Sequence, residues 1–294
     1  MALKILRAEE PIIVSQTVTV IYGAPGLGKS TLGFTADKPV LLDFDKGCYR
    51  AANRKDSVTV ESWQDAASIT AEDLQPYKTV IVDTAGSALD FLSADIIQKT
   101  PKMGNGGALT PQGYGALKGK FTAWLNALKI IGKDVVLIAH SSEEKKGDDI
   151  LERLDVQGGS KGEIYKSADA MGRLYLVNGK RTLSFSPTDT AFGKNPGNLD
   201  PVFIPHPDQS PHILAEIIQK TKDRLNQLSE VQLKRQGEIA EWTGKFQEAT
   251  TAEDFSRMVK EIKKAEIKIA LKSGTTVPGM ILRKNHSRSI RFRV

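Results

Sequence analysis

Residues 23–30 constrain what this chain can fold into more than any other segment, because they read G-A-P-G-L-G-K-S. The spacing G-x-x-x-x-G-K-[S/T] is typical of a phosphate-binding loop that connects a buried strand to a helix. Residues 18–22 are mostly apolar and β-branched, which predicts the strand, and residues 31–35 are suited to begin the helix. We therefore expect a nucleotide site at the carboxyl end of this strand.

The residue types in this loop suit a nucleotide phosphate chain. Glycines allow a tight turn and bring backbone N–H groups close to phosphate oxygens, and the following helix adds the positive end of its dipole. Lys29 would reach the β- and γ-phosphates, and Ser30 would offer its hydroxyl to Mg²⁺. We predict that ATP and Mg²⁺ bind at Gly23, Ala24, Pro25, Gly26, Leu27, Gly28, Lys29, Ser30 and Thr31.

Composition narrows the class of protein further. The chain has 294 residues, 40% of them hydrophobic and 26% charged, which fits a soluble globular protein of one large domain with or without an appendage. No apolar run approaches the ~20 residues of a membrane span, and the first ten residues lack a signal-peptide core. Cys48 is a single cysteine, which excludes an internal disulfide and a cysteine-based zinc site. We expect a cytoplasmic protein without a membrane partner.

The net charge of +6 is unevenly distributed. Residues 211–294 hold 17 Lys and Arg against 10 Asp and Glu, whereas residues 1–210 are nearly neutral. From Leu271 onward there are six cations and no acid. Such a segment favours polyanions such as nucleic acid, and a solvated disordered tail is the alternative.

Strand-like segments alternate with helical or mixed segments through the first two-thirds of the chain. This alternation predicts an α/β fold with a mostly parallel sheet that helices cover on both faces, the core of a P-loop NTPase. Asn178-Gly179 between two β-rich runs predicts a terminal antiparallel hairpin. The predicted core strands are residues 18–22, 40–43, 58–61, 80–83 and 135–139.

The chain is predicted to divide into three parts. Four prolines between residues 201 and 211 close the ATPase core, which we place at residues 1–207. A helical period begins at His212, and Thr251 with Asp254 resembles a capping box for a second helix. We therefore assign residues 208–273 to a small helical appendage and residues 274–294 to a basic tail.

Two acidic residues follow apolar strands and are candidates for the catalytic machinery. Asp83 ends the strand at residues 79–83, where a Walker B carboxylate would hold Mg²⁺ together with Ser30. Thr84 follows it where many ATPases carry a catalytic Glu, so the base must come from elsewhere. Asp45, beyond Asp43 on the strand after the loop helix, is the better candidate to orient water. The alternative for Asp83 is a cap of the following turn. For Asp43 and Asp45 it is a structural cap or an outer group that contacts the ligands of the metal.

A polar residue also ends the strand at residues 134–139. His140 could sense the γ-phosphate through an imidazole N–H and transmit its state to the polar segment that follows. The alternative is a histidine that is simply hydrogen-bonded at a strand end. We assign the catalytic role to Asp45, Lys29 and His140 together.

The order of these motifs resembles the core of the RecA recombinase family over residues 10–205. Residues 158–169 read G-G-S-K-G-E-I-Y-K-S-A-D, which is similar to the Gly-Gly…Tyr…Ser segment that follows that family's second DNA loop. More narrowly, the chain resembles phage RecA-like single-strand annealing proteins. The chain departs from the family by having Asp45 in place of Glu and His140 in place of Gln.

The resemblance implies an ATP-dependent protein that binds single-stranded DNA and promotes annealing in phage-type homologous recombination. It implies a slow, DNA-stimulated ATPase and a homo-oligomer, either ring or filament. A single-strand-binding protein is a further expected partner, and the location would be the bacterial host cytoplasm if the chain is phage-encoded.

The resemblance also places two DNA loops, at residues 101–107 and 141–169. Tyr114 and Tyr165 could stack on bases, and for Tyr165 burial in the core is the alternative. The predicted DNA contacts are Lys102, Lys145, Lys146, Arg153, Lys161 and Lys166, and the candidates for a finger that reaches a neighbour's ATP are Lys180, Arg181 and Lys194.

Two alternative functions stay open on the same core. A helicase loader or motor ATPase would hydrolyse ATP rapidly and move directionally on DNA. A nucleotide-switched module would bind a protein partner through the C-terminal helices and show no DNA-stimulated turnover.

Overall fold

The computed structural model describes residues 7, 10–147, 149–156, 160–248, 251, 253–254 and 256–261. The chain forms two compact units, one of residues Pro11–Glu230 and one drawn from Met1–Glu10 and Val231–Val294. The boundaries assigned to the core and the appendage stay predictions. The basic tail at residues 274–294 and Gly158-Gly159 lie outside the described residues.

The described part contains six helices and eleven strands with defined bounds, two short 3₁₀ turns, and further helical residues at 253–254 and 256–261. The helices are α1 (Lys29–Gly33), α2 (Trp63–Ala67), α3 (Ala85–Lys99), α4 (Pro111–Ile130), α5 (Ser160–Ser167) and α6 (Ile213–Glu248). The strands are β1 (Val18–Gly23), β2 (Pro39–Asp43), β3 (Ser57–Thr59), β4 (Thr79–Asp83), β5 (Gly104–Asn105), β6 (Ala108–Leu109), β7 (Asp134–Lys146), β8 (Asp149–Leu154), β9 (Ala170–Val177), β10 (Lys180–Ser184) and β11 (Val202–Phe203).

Nine strands of the described part form one sheet in the order β11-β10-β9-β1-β7-β4-β2-β3, with β8 paired to β7. Neighbours from β9 to β3 run parallel, whereas β10, β11 and β8 join antiparallel. The predicted mostly parallel α/β core and helical C-terminal part are confirmed. Strand β7 lies between β1, which leads into the phosphate loop, and β4, which ends at Asp83. The three candidate site segments therefore meet at the carboxyl ends of these strands.

The sheet is buried on both faces because its central strands are apolar at nearly every position. Successive side chains of β1 alternate between two cores. Val20 and Tyr22 belong to the core that also contains residues of α2, α3, α4 and α5, whereas Ile21 belongs to the core that contains residues of α1 and the first turns of α6. This three-layer packing explains why the strands read as continuous hydrophobic runs rather than alternating ones.

A buried ion pair fixes the start of β7. The Asp134 carboxylate accepts hydrogen bonds from the backbone N–H and hydroxyl of Thr17 at 2.8 and 3.2 Å. Lys222 of α6 donates to its other oxygen at 2.5 Å, and both side chains of this pair are nearly buried, at 11% and 13% exposure. The pair therefore joins β1, β7 and α6 at the edge of the sheet opposite the phosphate loop.

The turn between β9 and β10 follows the predicted chemistry. Asn178 and Gly179 have φ angles of 51° and 75°, which is the left-handed pair that a two-residue hairpin with matching strand twist requires. The capping motif expected at Thr251 is also present. Thr251 Oγ1 donates to Asp254 Oδ2 at 2.6 Å and accepts from the Asp254 backbone N–H at 3.2 Å. Within the described residues, no helix is long and apolar enough to cross a bilayer.

The polar segment at residues 141–169, which the resemblance placed as a DNA loop, is largely regular secondary structure in its described residues. Strand β7 continues to Lys146 and pairs with β8 around a turn at Gly147, and α5 follows. Both faces of the outer part of this hairpin are exposed. Polar residues on both faces are therefore compatible with strand pairing here. The polarity of the segment reflects its exposure to solvent and not irregular structure.

Breaking the Asp134–Lys222 pair should destabilise the protein strongly. Asp134→Ala leaves a nearly buried ammonium without its counter-charge and two Thr17 donors without an acceptor, so we expect a loss of about 3 kcal/mol in the free energy of unfolding. The matched control is Asp37→Ala, which removes an exposed Lys–Asp pair with side chains 63% and 50% exposed. That variant should lose less than about 1 kcal/mol. Equal denaturant midpoints for the two variants would contradict the assignment.

Candidate nucleotide-binding site

The site lies where three parallel strands end side by side. In the register of the sheet, Gly23 pairs with His140 and Asp43 pairs with Asp83. Because β7 also pairs with β4, the phosphate loop, His140 and Asp83 converge on one edge. The carboxyl edge of an open parallel sheet is the usual ligand site of such folds.

Two glycines of the phosphate loop have backbone requirements that exclude a side chain. Gly23 lies so close to β9 that an added Cβ would lie 2.2 Å from the carbonyl oxygen of Leu174. Gly28 has a φ of 77° in the left-handed region, directly before α1. The close approach at Gly23 and the left-handed backbone at Gly28 explain why glycine stands at these two positions. The same backbone shape would let N–H groups of the loop approach a phosphate.

Lys29 is the most buried cation of the site, with 5% exposure. Its ammonium donates to the carbonyl oxygens of Gly23 and Ala24, both at 2.9 Å, and lies 3.3 Å from Nδ1 of His140. Burial lowers the pKa of Lys29, and the carboxylates of Asp83 and Asp45 partly oppose that shift. The ammonium is therefore held where phosphate oxygens would approach the loop.

Ser30 and Asp83 form a compact pair of oxygen ligands. The Ser30 hydroxyl donates to Asp83 Oδ2 at 2.5 Å. Burial raises the pKa of Asp83, and the hydrogen bond from Ser30 only partly offsets this. A divalent cation at this pair would compensate the buried carboxylate, and hard oxygen donors suit Mg²⁺. No cluster of three His, Cys, Asp or Glu occurs in the described part of the chain, so further Mg²⁺ ligands would come from phosphate and water.

Asp45 lies beside this pair with an oxygen close to each of two polar neighbours. Its Oδ1 is 3.3 Å from the Thr84 hydroxyl and its Oδ2 is 3.7 Å from Nε2 of His140. Its backbone N–H is held by the Asp83 carbonyl oxygen at 3.3 Å. Burial raises the pKa of Asp45, but hydrogen bonds from His140, Ser87 and Thr84 outweigh burial and bring the pKa below its usual value. The carboxylate is therefore ionised at neutral pH.

Asp43 has a structural role. Its carboxylate accepts hydrogen bonds from the backbone N–H groups of Gly47 at 2.9 Å and Cys48 at 3.0 Å, so it caps the turn after β2. Of the two acids in this segment, Asp45 is thus the one that stands among the groups of the site.

His140 connects the lysine and the carboxylate. An ammonium has only donors, so the nitrogen that faces Lys29, Nδ1, has to accept. The proton of a neutral ring is then on Nε2, which faces Asp45. The imidazole thereby links the Lys29 ammonium to the candidate water-orienting group.

Thr84 and Ser87 also belong to the site. From the sequence we noted only that Thr84 is not the catalytic Glu that many ATPases carry at this position, and we did not consider Ser87. The Thr84 hydroxyl accepts from the Ser87 backbone N–H at 3.3 Å, so Thr84 is the N-cap of α3. Its position directly after Asp83, at a helix start, was the signal that could have identified it. The same hydroxyl is the one that contacts Asp45.

The three candidate finger residues have different surroundings. Arg181 lies against the phosphate loop, where an added Cβ on Gly28 would be 2.7 Å from its Nη1. Lys194 donates to the Tyr165 and Ala168 carbonyl oxygens at the end of α5, at 2.7 and 2.6 Å. Lys180 is exposed and lies 5.8 Å from the Phe203 ring centroid. A role for any of them in a neighbouring subunit stays a prediction.

The candidate DNA residues do not form one cluster in the described structure. Lys102 is in the 3₁₀ turn Pro101–Met103, Lys145 is near the tip of the β7–β8 hairpin, and Lys166 is at the end of α5; all three are exposed. Arg153 is packed instead, with its guanidinium 4.1 Å from the Phe192 ring centroid. The side chains of Lys146 and Lys161 lie outside the described residues, and the DNA contacts stay predictions.

The two candidate stacking tyrosines pack within the fold. Tyr165 contacts Phe192 with ring centroids 4.6 Å apart, and burial raises the pKa of its hydroxyl. Tyr114 is partly buried against the core that α4 shares with the sheet. This packing favours the core alternative for Tyr165.

Together the fold and this site define a P-loop NTPase. A family model described as an AAA domain matches residues 15–196, and the chain belongs to that family. The chain is also similar to the SPbeta prophage-derived uncharacterized protein YorG of Bacillus subtilis (strain 168), at 28% identity over 144 residues. That match covers 44% of this chain and 42% of the relative, so the chain spans less than half the length of the relative it matches.

Removing the His140 ring should raise the pKa of Asp45, because the Nε2 side of the ring faces the Asp45 carboxylate and favours its ionised form. Carboxyl-carbon NMR titration of His140→Ala would measure an upward shift of the Asp45 midpoint. Asp65, whose pKa is lowered by the backbone N–H groups of Glu61 and Ser62, serves as the internal control and should not move. An unchanged Asp45 midpoint would show that the 3.7 Å contact carries no coupling.

Proposed function

We propose that this protein is an ATP-dependent, single-stranded-DNA-binding protein that promotes annealing in phage-type homologous recombination. The observation that carries the proposal is the course of β7. This strand passes His140 between the phosphate loop and Asp83 and continues unbroken into the exposed β7–β8 hairpin. A change at the nucleotide would thus reach the exposed surface that we propose to bind DNA.

The chemistry that the site supports is hydrolysis of the γ-phosphoryl group of ATP. Lys29 would bind the β- and γ-phosphate oxygens, and Asp45 would orient a water molecule in line with the bond to the leaving group. The water oxygen forms the new bond to the γ-phosphorus, the bond to the β,γ-bridging oxygen breaks, and the water proton passes to Asp45 and then to solvent. Mg²⁺ held by Ser30 and Asp83 would supply charge neutralisation of the phosphates.

His140 would couple this chemistry to DNA binding. Its ring contacts both Lys29 and Asp45, so a γ-phosphate that draws the Lys29 ammonium away from the ring alters both contacts. The backbone of β7 carries that change directly to residues 141–146. We propose that Lys102, Lys145, Lys146, Arg153, Lys161 and Lys166 bind DNA phosphates, and that the basic segment after residue 271 adds sequence-independent affinity.

The wider context of the proposal rests on similarity. YorG is named as a prophage-derived protein, and we propose a phage origin and a location in the bacterial host cytoplasm for this chain as well. A homo-oligomer in ring or filament form would place several DNA-binding surfaces along one strand. A single-strand-binding protein is the further partner that we propose.

The decisive experiment measures ATP turnover with and without single-stranded DNA beside an annealing assay on complementary strands. We expect slow turnover that DNA increases, and annealing that Lys29→Ala abolishes while its thermal unfolding stays near wild type. Arg224→Ala, which removes an exposed cation of α6, is the charge-matched control. Rapid directional translocation on DNA would favour a motor instead, and turnover indifferent to DNA would favour a nucleotide-switched protein-binding module.

Asp45→Asn should retain ATP binding but slow hydrolysis by about 10²-fold or more, as expected when a general base is lost. Asp45→Glu keeps the carboxylate and should retain much of the turnover. Single-turnover hydrolysis with bound ATP measures the chemical step without the contribution of affinity. Wild-type rates in Asp45→Asn would remove Asp45 from the mechanism.

A further inference from the structure

We infer that Arg181 binds the phosphate chain of the nucleotide held by its own subunit. The inference rests on the proposed nucleotide site and adds a residue that lies outside the phosphate loop and comes from the antiparallel end of the sheet. It also replaces the neighbour-reaching role that the sequence suggested for this residue.

The position of the guanidinium is the first step. Arg181 is on β10, which pairs with β9, and β9 in turn pairs with β1 beside the loop. A Cβ built on Gly28 would lie 2.7 Å from Nη1 and 4.0 Å from Cζ of Arg181. The guanidinium therefore lies directly against the loop, at a residue without a side chain that would separate the two.

The fixed orientation of the guanidinium is the second step. Its Nη2 donates to the carbonyl oxygen of Pro205 at 2.8 Å, in the segment that follows β11. This carbonyl accepts a hydrogen bond but has no formal charge, so the positive charge of Arg181 is not neutralised by it. An arginine that reaches a neighbouring subunit needs a free tip, whereas this tip is held against its own loop.

The chemistry of the ligand follows from these contacts. Guanidinium remains protonated at any physiological pH, and its planar fork matches phosphate oxygens. With Nη2 engaged, Nη1 presents its donors beside the backbone of the loop that is built to receive phosphates. The anion that meets both the loop and Nη1 is the polyphosphate chain rather than the base.

The test compares binding of ATP with binding of tripolyphosphate, which lacks the nucleoside, by calorimetry on the full chain. Arg181→Ala should weaken both ligands by about 10-fold or more, the loss of a charge-assisted hydrogen bond. Arg181→Lys keeps the charge without the fork and should lie between wild type and Arg181→Ala. Arg224→Ala, which removes an exposed arginine of α6, should bind both ligands like the wild type. Thermal unfolding is recorded for each variant, and Arg181→Lys carries the test if Arg181→Ala does not fold.

Each outcome decides the inference. Weakening of ATP alone would assign Arg181 to the nucleoside and overturn the phosphate role. Equal binding by wild type and both variants would overturn the inference while leaving the proposed function intact. A wild-type protein that binds neither ligand would overturn the proposed function and this assignment together.

A complementation experiment separates the same-subunit role from a role in a neighbour. Lys29→Ala and Arg181→Ala chains are co-expressed, so that mixed assemblies form if the protein oligomerises. A residue that acts on its own subunit's nucleotide leaves each mixed site defective, and we expect no recovery of turnover. Recovery above that of either variant alone would overturn the inference.

Discussion

The parallel pairing of β7 with both β1 and β4 is the constraint on which the rest of the site depends. It sets Gly23 beside His140 in register and brings Asp83 to the same edge. Each of these pairings uses backbone hydrogen bonds of strands that are buried on both faces, so the geometry is fixed by the sheet and not by the site residues themselves. The Asp134 carboxylate, with Thr17 and Lys222, fixes the opposite end of the same strand.

Three carboxylates at or just beyond the carboxyl ends of the neighbouring strands β2 and β4 differ in chemistry because their surroundings differ. Asp43 is occupied by two backbone N–H groups of a turn. Burial raises the pKa of Asp83, whose nearest partner is a hydroxyl, and this suits a cation ligand. Burial also raises the pKa of Asp45, but its polar neighbours lower the pKa by more, which suits a group that must stay ionised beside water. The division of roles thus follows from local hydrogen bonding.

Much of this arrangement was predictable from sequence because it is encoded locally. The glycine spacing of residues 23–30, the apolar strands and the Asn178-Gly179 turn each state a backbone requirement that few other residues satisfy. The hairpin of β7 and β8 was not predictable from the sequence, because an exposed strand pair has no alternating hydrophobic pattern that distinguishes it from a loop. The contact between Arg181 and Gly28 was also beyond reach, because it depends on the packing of a terminal hairpin 150 residues away in the sequence.

The length of β7 has a mechanical consequence. Six residues separate His140 from Lys146, which at about 3.3 Å per residue places the outer end of the strand about 20 Å beyond the imidazole. A segment of that length would amplify any tilt of the part of β7 that is paired between β1 and β4. A tilt of about 10° at the nucleotide would sweep the tip through roughly 3.5 Å, about the spacing of stacked bases in a nucleic acid strand.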